Sequence, residues 1–154
     1  MKKICAAVGV ILVLSGCAPA KLVPMSRPLE TNQSTLVVYR ESGFNSGGVD
    51  AVFGSGQQDW VALDTKSYAV LQIAPAPHEF FVRSTQADQP FVFKATVAQA
   101  ETKCLRVFPN PGNFAKALLP VSYLAGNTFL LEETACPSQE TLAGFGKKAV
   151  TYAK

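Results

Sequence analysis

From Thr35 onward the chain is cut into short runs rich in β-branched and aromatic residues, each bounded by clusters of Gly, Pro, Asn or Asp. Runs of this length and composition suit strands, and their close spacing predicts an all-β fold. Strands are expected at Thr35–Arg40, Val49–Phe53, Asp59–Leu63, Ser67–Ile73, Glu79–Ser84, Pro90–Val97, Thr102–Phe108, Leu118–Tyr123 and Thr128–Glu133. The clearest alternation puts Phe91, Phe93, Ala95 and Val97 on one face and Val92, Lys94 and Thr96 on the other. Turns are expected at Gly47-Gly48, Gly54-Ser55-Gly56, Asp64-Thr65-Lys66, Pro75-Ala76-Pro77 and Pro109 to Asn113, where residues that fix φ or tolerate positive φ gather. A domain of roughly 120 residues builds one core, and strands with one apolar face bury it best sheet against sheet. The expected architecture is a single two-sheet β-sandwich of about 7–9 strands, ending in a short C-terminal helix or an irregular tail. Ser138 is the expected N-cap of that helix, and Gly144 and Gly146 limit its length.

Ahead of the strands, Lys2 and Lys3 lead an apolar run from Ile4 to Leu14, followed by Ser15, Gly16 and Cys17. This is the n-, h- and c-region order of a secretory signal, and the run is about half of the roughly twenty residues that a spanning helix needs. Leu14-Ser15-Gly16-Cys17 resembles the lipobox of bacterial lipoproteins. The resemblance implies that Cys17 is diacylated on sulfur, that cleavage occurs before it, and that its new amine is then acylated. Two or three acyl chains, each worth about 0.8 kcal/mol per buried CH₂, exceed the marginal hold of one chain, so the membrane is the expected partner of the N-terminus. Ala18 stands where inner-membrane lipoproteins of enteric bacteria carry a retention aspartate, which implies the outer membrane with the domain in the periplasm. The expected organisation is a signal peptide at 1–16, a lipidated tether at 17–34, a β-sandwich at 35–137 and a C-terminal tail at 138–154. Pro19, Pro24 and Pro28 favour an extended tether, about 3.1 Å per residue.

Cleavage changes the charge and the cysteine count. The formal charge of +3 includes Lys2 and Lys3, and without them the chain is close to balanced, so no nucleic-acid partner is expected. Cys5 leaves with the signal and Cys17 is consumed by lipid, which leaves Cys104 and Cys136 in an oxidising compartment. A disulfide between them is the expectation. The competing readings are two unpaired structural cysteines and a metal or redox pair, the latter opposed by the lack of a C-x-x-C motif and by a lone histidine.

The order of elements carries a second resemblance. Val37-Val38-Tyr39-Arg40, then Phe44 with Gly47-Gly48, Trp60 to Leu63, Tyr68 to Leu71, and Pro75-Ala76-Pro77-His78-Glu79-Phe80 follow one another in that order. Together they resemble an uncharacterised domain family of bacterial envelope lipoproteins, domain of unknown function 2846. That family opens with a strand ending Tyr-x-Arg, continues through a hairpin to a Leu-turn-Tyr element, and has a Pro-Gly-x-His-type turn before the next strand. Ala98 to Val107 sits where the family has an Ala-x-x-Gly-Lys-Thr-Tyr-type strand start, with Ala100-Glu101 in place of the usual glycine. The resemblance implies a β-sandwich lipoprotein and brings no activity with it.

His78 is the only histidine, so any His-based triad or general base must use it, and its place after a proline turn suits a backbone-bonded turn or edge residue. There is no G-x-S-x-G elbow, no H-E-x-x-H and no phosphate-cradling G-x-x-x-x-G-K. Asp50, Asp59, Asp64 and Glu79 lie near turns and strand ends, as solvated carboxylates do. No catalytic residue, metal ligand or cofactor is expected. The function expected is a lipid-anchored, non-catalytic binding or scaffolding module of the cell envelope with an envelope protein as partner. Phe44 and Phe114, in loops 41–48 and 109–117, are the candidate partner contacts, with capping of the sandwich as their structural alternative. Two further classes stand beside this reading: a lipoprotein subunit of a secretion or efflux apparatus, and a cell-wall-acting enzyme or inhibitor. Trp60 is expected at the core or its edge, with sugar stacking as the alternative. Lys147, Lys148 and Lys154 are expected in a solvated terminus, with headgroup contact as the alternative.

Overall fold

The computed structural model describes residues 33–42, 48–85, 89–112 and 126–150. Its strands are β1 (Ser34–Arg40), β2 (Ala51–Ser55), β3 (Gln58–Leu63), β4 (Ser67–Ile73), β5 (Pro77–Ser84), β6 (Phe91–Thr96), β7 (Thr102–Pro109), β8 (Phe129–Thr134) and β9 (Gly146–Lys147), with one short helix, α1 (Gln139–Ala143), before the last. They form two sheets, β8-β7-β1-β4-β9 and β3-β2-β5-β6. This is the all-β two-sheet sandwich that the punctuated sequence predicts. The expected strand Leu118–Tyr123 lies outside the described residues, as do Cys17, Phe44 and Phe114.

β1 is the centre of the first sheet, antiparallel to β4 and parallel to β7. The chain passes between the sheets after β1, β3, β4 and β6, so both sheets assemble from interleaved segments. Period-2 alternation then sends Leu36 and Val38, Ala69 and Leu71, Leu105 and Val107, and Phe129 and Leu131 inward from the first sheet. Ala51, Phe53, Val61, Leu63, Phe80 and Val82 meet them from the second. Fully burying a side chain of this size contributes about 1.5–3 kcal/mol, which makes this layer the main source of stability.

A bulge shapes the hairpin of β2 and β3. Phe53 pairs with Val61 but Gly54 pairs with Asp59, so Trp60 is the extra residue. Its ring turns to the core and packs edge-on against Phe53 and Phe80, with centroids 6.0 and 6.1 Å away. Gly54 is required there: a Cβ would lie 2.0 Å from the Gln58 carbonyl oxygen and 2.6 Å from Phe81 Cζ. The expected turn at Gly54-Ser55-Gly56 is therefore displaced. Gly54 and Ser55 belong to β2, and the chain reverses at Gly56 and Gln57, where Gly56 takes a φ of 62°.

The segment after β8 is part of the sandwich. It leaves one edge of the first sheet, is bonded to β7 through Cys136, forms α1 and returns at the opposite edge as β9 beside β4. Ser138 caps α1 by accepting from the Thr141 amide at 3.1 Å, as expected for an N-cap. None of the helix residues is buried, so the strap is held chiefly by its ends. Between them Phe145 packs edge-on against Tyr39 with centroids 6.4 Å apart, which helps bury Val37 and Tyr39 on the outer face of β1. Lys147 is exposed, as expected, but it lies in β9 and Lys148 is ion-paired, so this segment belongs to the sheet rather than to a free terminus, while Lys154 lies outside the described residues.

Candidate functional site

The chemistry-bearing residues gather in four places. At one end of the sandwich, Arg40 continues the inward row of Leu36 and Val38 and is 1% exposed. Its Nη1 donates to the carbonyls of Val49 at 2.7 Å and Leu63 at 2.9 Å, and the guanidinium lies 4.6 Å over the Phe129 ring. It thereby ties the end of β1 to the start of β2, the end of β3 and the face of β8. Burial lowers its pKa, and the charges of Asp50 and Asp64 oppose that shift. A group this basic remains a cation, so the contacts make it a clamp rather than a proton carrier.

Beside it is the outer anchor of the strap. Gly146 and Lys148 donate backbone amides to the carbonyls of Lys66 and Tyr68, each at 2.8 Å, and Lys148 Nζ reaches Asp64 Oδ2 at 2.7 Å. The Lys148 hydrogen bond holds the Asp64 carboxyl below its ordinary pKa.

At the other end, Cys104 and Cys136 form a disulfide, with the buried Cys104 on β7 and the exposed Cys136 on the strap. Near it Lys103, 7% exposed, reaches Glu133 at 2.6 Å and Glu101 at 3.2 Å. The Glu133 hydrogen bond leads in raising the Lys103 pKa. The Ala98 amide, at 2.6 Å, leads in lowering that of Glu101. These groups close the turn from Ala98 to Glu101, in which Ala100 takes a φ of 56°.

The fourth place is an open groove of about 370 Å³ on β5 and β6, lined by Pro77, His78, Glu79, Lys94, Ala95 and Thr96. The His78 ring stacks on Phe80 with centroids 5.2 Å apart, and its Nε2 is 2.8 Å from the Ala74 carbonyl oxygen. Neither contact is a nucleophile that His78 would activate. Lys94 and Glu79 pair at 2.6 Å across the groove, both well exposed, and this hydrogen bond raises the Lys94 pKa.

Asp59, another carboxylate singled out by position, pairs with Arg83 at 2.6 Å. Among the described residues no three His, Cys, Asp or Glu side chains are grouped to hold a metal ion. Nor is any helix among them long and apolar enough to cross a membrane. The structure thus brings Cys104 to Cys136 and keeps His78 and Trp60 on one aromatic row, joined through Phe80. Sequence reasoning missed Arg40 as a buried group. The signal was its parity, since it shares the inward face of Leu36 and Val38. No protein-family model matches the chain, and no curated protein matches it.

Proposed function

We propose that the chain is a lipid-anchored lipoprotein of the bacterial cell envelope, held by acyl groups on Cys17 and presenting a non-catalytic binding or scaffolding sandwich to the periplasm. The observation that carries this reading is the division of the four cysteines. Cys5 lies in the discarded signal and Cys17 at the lipobox, while Cys104 and Cys136 are the two that the fold joins. A disulfide is stable in compartments that oxidise thiols, which agrees with export. A largely non-catalytic surface agrees with the engagement of His78 by the Ala74 carbonyl and the Phe80 ring, and with the pairing of Asp59, Asp64 and Glu79 to cations. Ala18 after the lipidated cysteine favours the outer membrane. The similarity to the uncharacterised envelope lipoprotein domain belongs to the same reading.

The test is Cys17→Ala in the full chain. The variant is expected to remain an uncleaved or mislocalised precursor with an intact sandwich. Normally processed, membrane-bound protein from that variant would contradict the anchor. A mild-detergent pull-down of the lipidated protein then identifies an envelope partner.

A further inference from the structure

The four sheet edges are not equally protected. β3 is broken by the Trp60 bulge. β8 carries Glu133, whose carboxylate is held by Lys103. β4 is covered at its start by β9. Bulges, inward-facing charge and short covering strands are the usual devices against edge pairing. Among the described residues β6 has none of these along Phe91–Thr96, where the exposed Lys94 is its one charge, and it is the terminal strand of its sheet.

Its hydrogen-bond phase follows from the ladder. Val97 donates to Ala76 at 3.0 Å in the same antiparallel register that pairs β5 with β6, so Phe91, Phe93 and Ala95 exchange bonds with β5. Val92, Lys94 and Thr96 therefore point their amides and carbonyls away from the sheet. The side chains are also incompletely covered. Phe91, Phe93 and Ala95 pack on the core but stay half-buried, whereas inward residues of the neighbouring β5, Phe80 and Val82, are fully buried. On the outer face Val92 is 51% exposed.

We propose that β6 pairs antiparallel with β6 of a second copy about a two-fold axis at Phe93, making one continuous sheet across both molecules. Self-complementarity selects this occupant and this register. Centred on Phe93, the outward-pointing groups of Val92 meet those of the partner's Lys94, Phe93 faces its own copy, and Phe91 faces the partner's Ala95. Every half-buried side chain of the edge then gains an apolar neighbour, and no like charges are directly opposed. Of the other centres in this phase, Lys94 sets two ammonium groups face to face, and Val92 sets Ala95 against Gln89, outside the strand, so both are disfavoured. The contact is isologous, so it closes at a dimer rather than growing into a fibre.

Sedimentation of the full chain purified in detergent tests this with Val92→Pro. The Val92 amide points away from β5, so proline leaves the β5–β6 ladder intact while removing an edge donor. The expected result is a concentration-dependent dimer whose midpoint rises at least about tenfold in the variant. As a second readout, Val92→Cys and Lys94→Cys chains cross-link under mild oxidation when mixed, and neither does alone. A monomer at every concentration, a dimer unaffected by Val92→Pro, a cross-link from Lys94→Cys alone, or a different protein on β6 in place of the second copy would overturn the proposal.

Discussion

Arg40 joins the two sheets with a charge that water cannot reach, so its removal leaves the Val49 and Leu63 carbonyls without their donor. Arg40→Met keeps much of the volume and loses both bonds, and should cost about 2–4 kcal/mol in urea unfolding. A variant as stable as the parent would show that the clamp is dispensable. Gly54 makes a different demand. Gly54→Ala puts a methyl group against backbone, at 2.0 Å from the Gln58 oxygen, and should destabilise by about 3 kcal/mol unless the bulge rearranges. Thermal unfolding of the variant checks this. The burial of Arg40 was missed although its parity with Leu36 and Val38 signalled it, whereas Trp60 was read from its place beside Val61. Gly54 was read as a turn because a bulge is set by the register of a partner strand, which local sequence does not specify.

Among the elements, the strap is held at one end by a contact that depends on pH. The Asp64 carboxyl is held below its ordinary pKa by Lys148, so the stabilisation is complete above the ordinary value and is lost as pH falls through the lowered one. Amide exchange at Gly146 and Lys148 should therefore accelerate on acidification before the core strands lose protection, and Asp64→Asn should show the faster exchange already at neutral pH. Unchanged exchange at both amides would mean that the backbone bonds of β9 hold the strap without the ion pair. The longer strands were legible from alternation and turn residues. β9 was not, because a two-residue strand has no period and forms only where Lys66 and Tyr68 offer carbonyls at the edge of β4.

For the molecule as a whole, the sandwich supplies a core and the disulfide restricts the unfolded chain. Closing a span of 32 residues should contribute about 3–4 kcal/mol, which the Cys104→Ser, Cys136→Ser double variant would lose in denaturant titration while keeping its far-UV signature. The fold class followed from turn spacing, and this pairing from counting the cysteines outside the signal-like segment and its lipobox-like end. The openness of β6 did not, since edge position is a property of the assembled sheet. A lipid anchor and a closed disulfide, as proposed, are both read from the intact mass of the protein extracted from its own membranes without reduction, with thiol alkylation. The expected species is a chain beginning at Cys17, heavier by its acyl groups and carrying no alkylated cysteine. A chain still beginning at Met1, or a mature one with Cys104 and Cys136 alkylated, would contradict it.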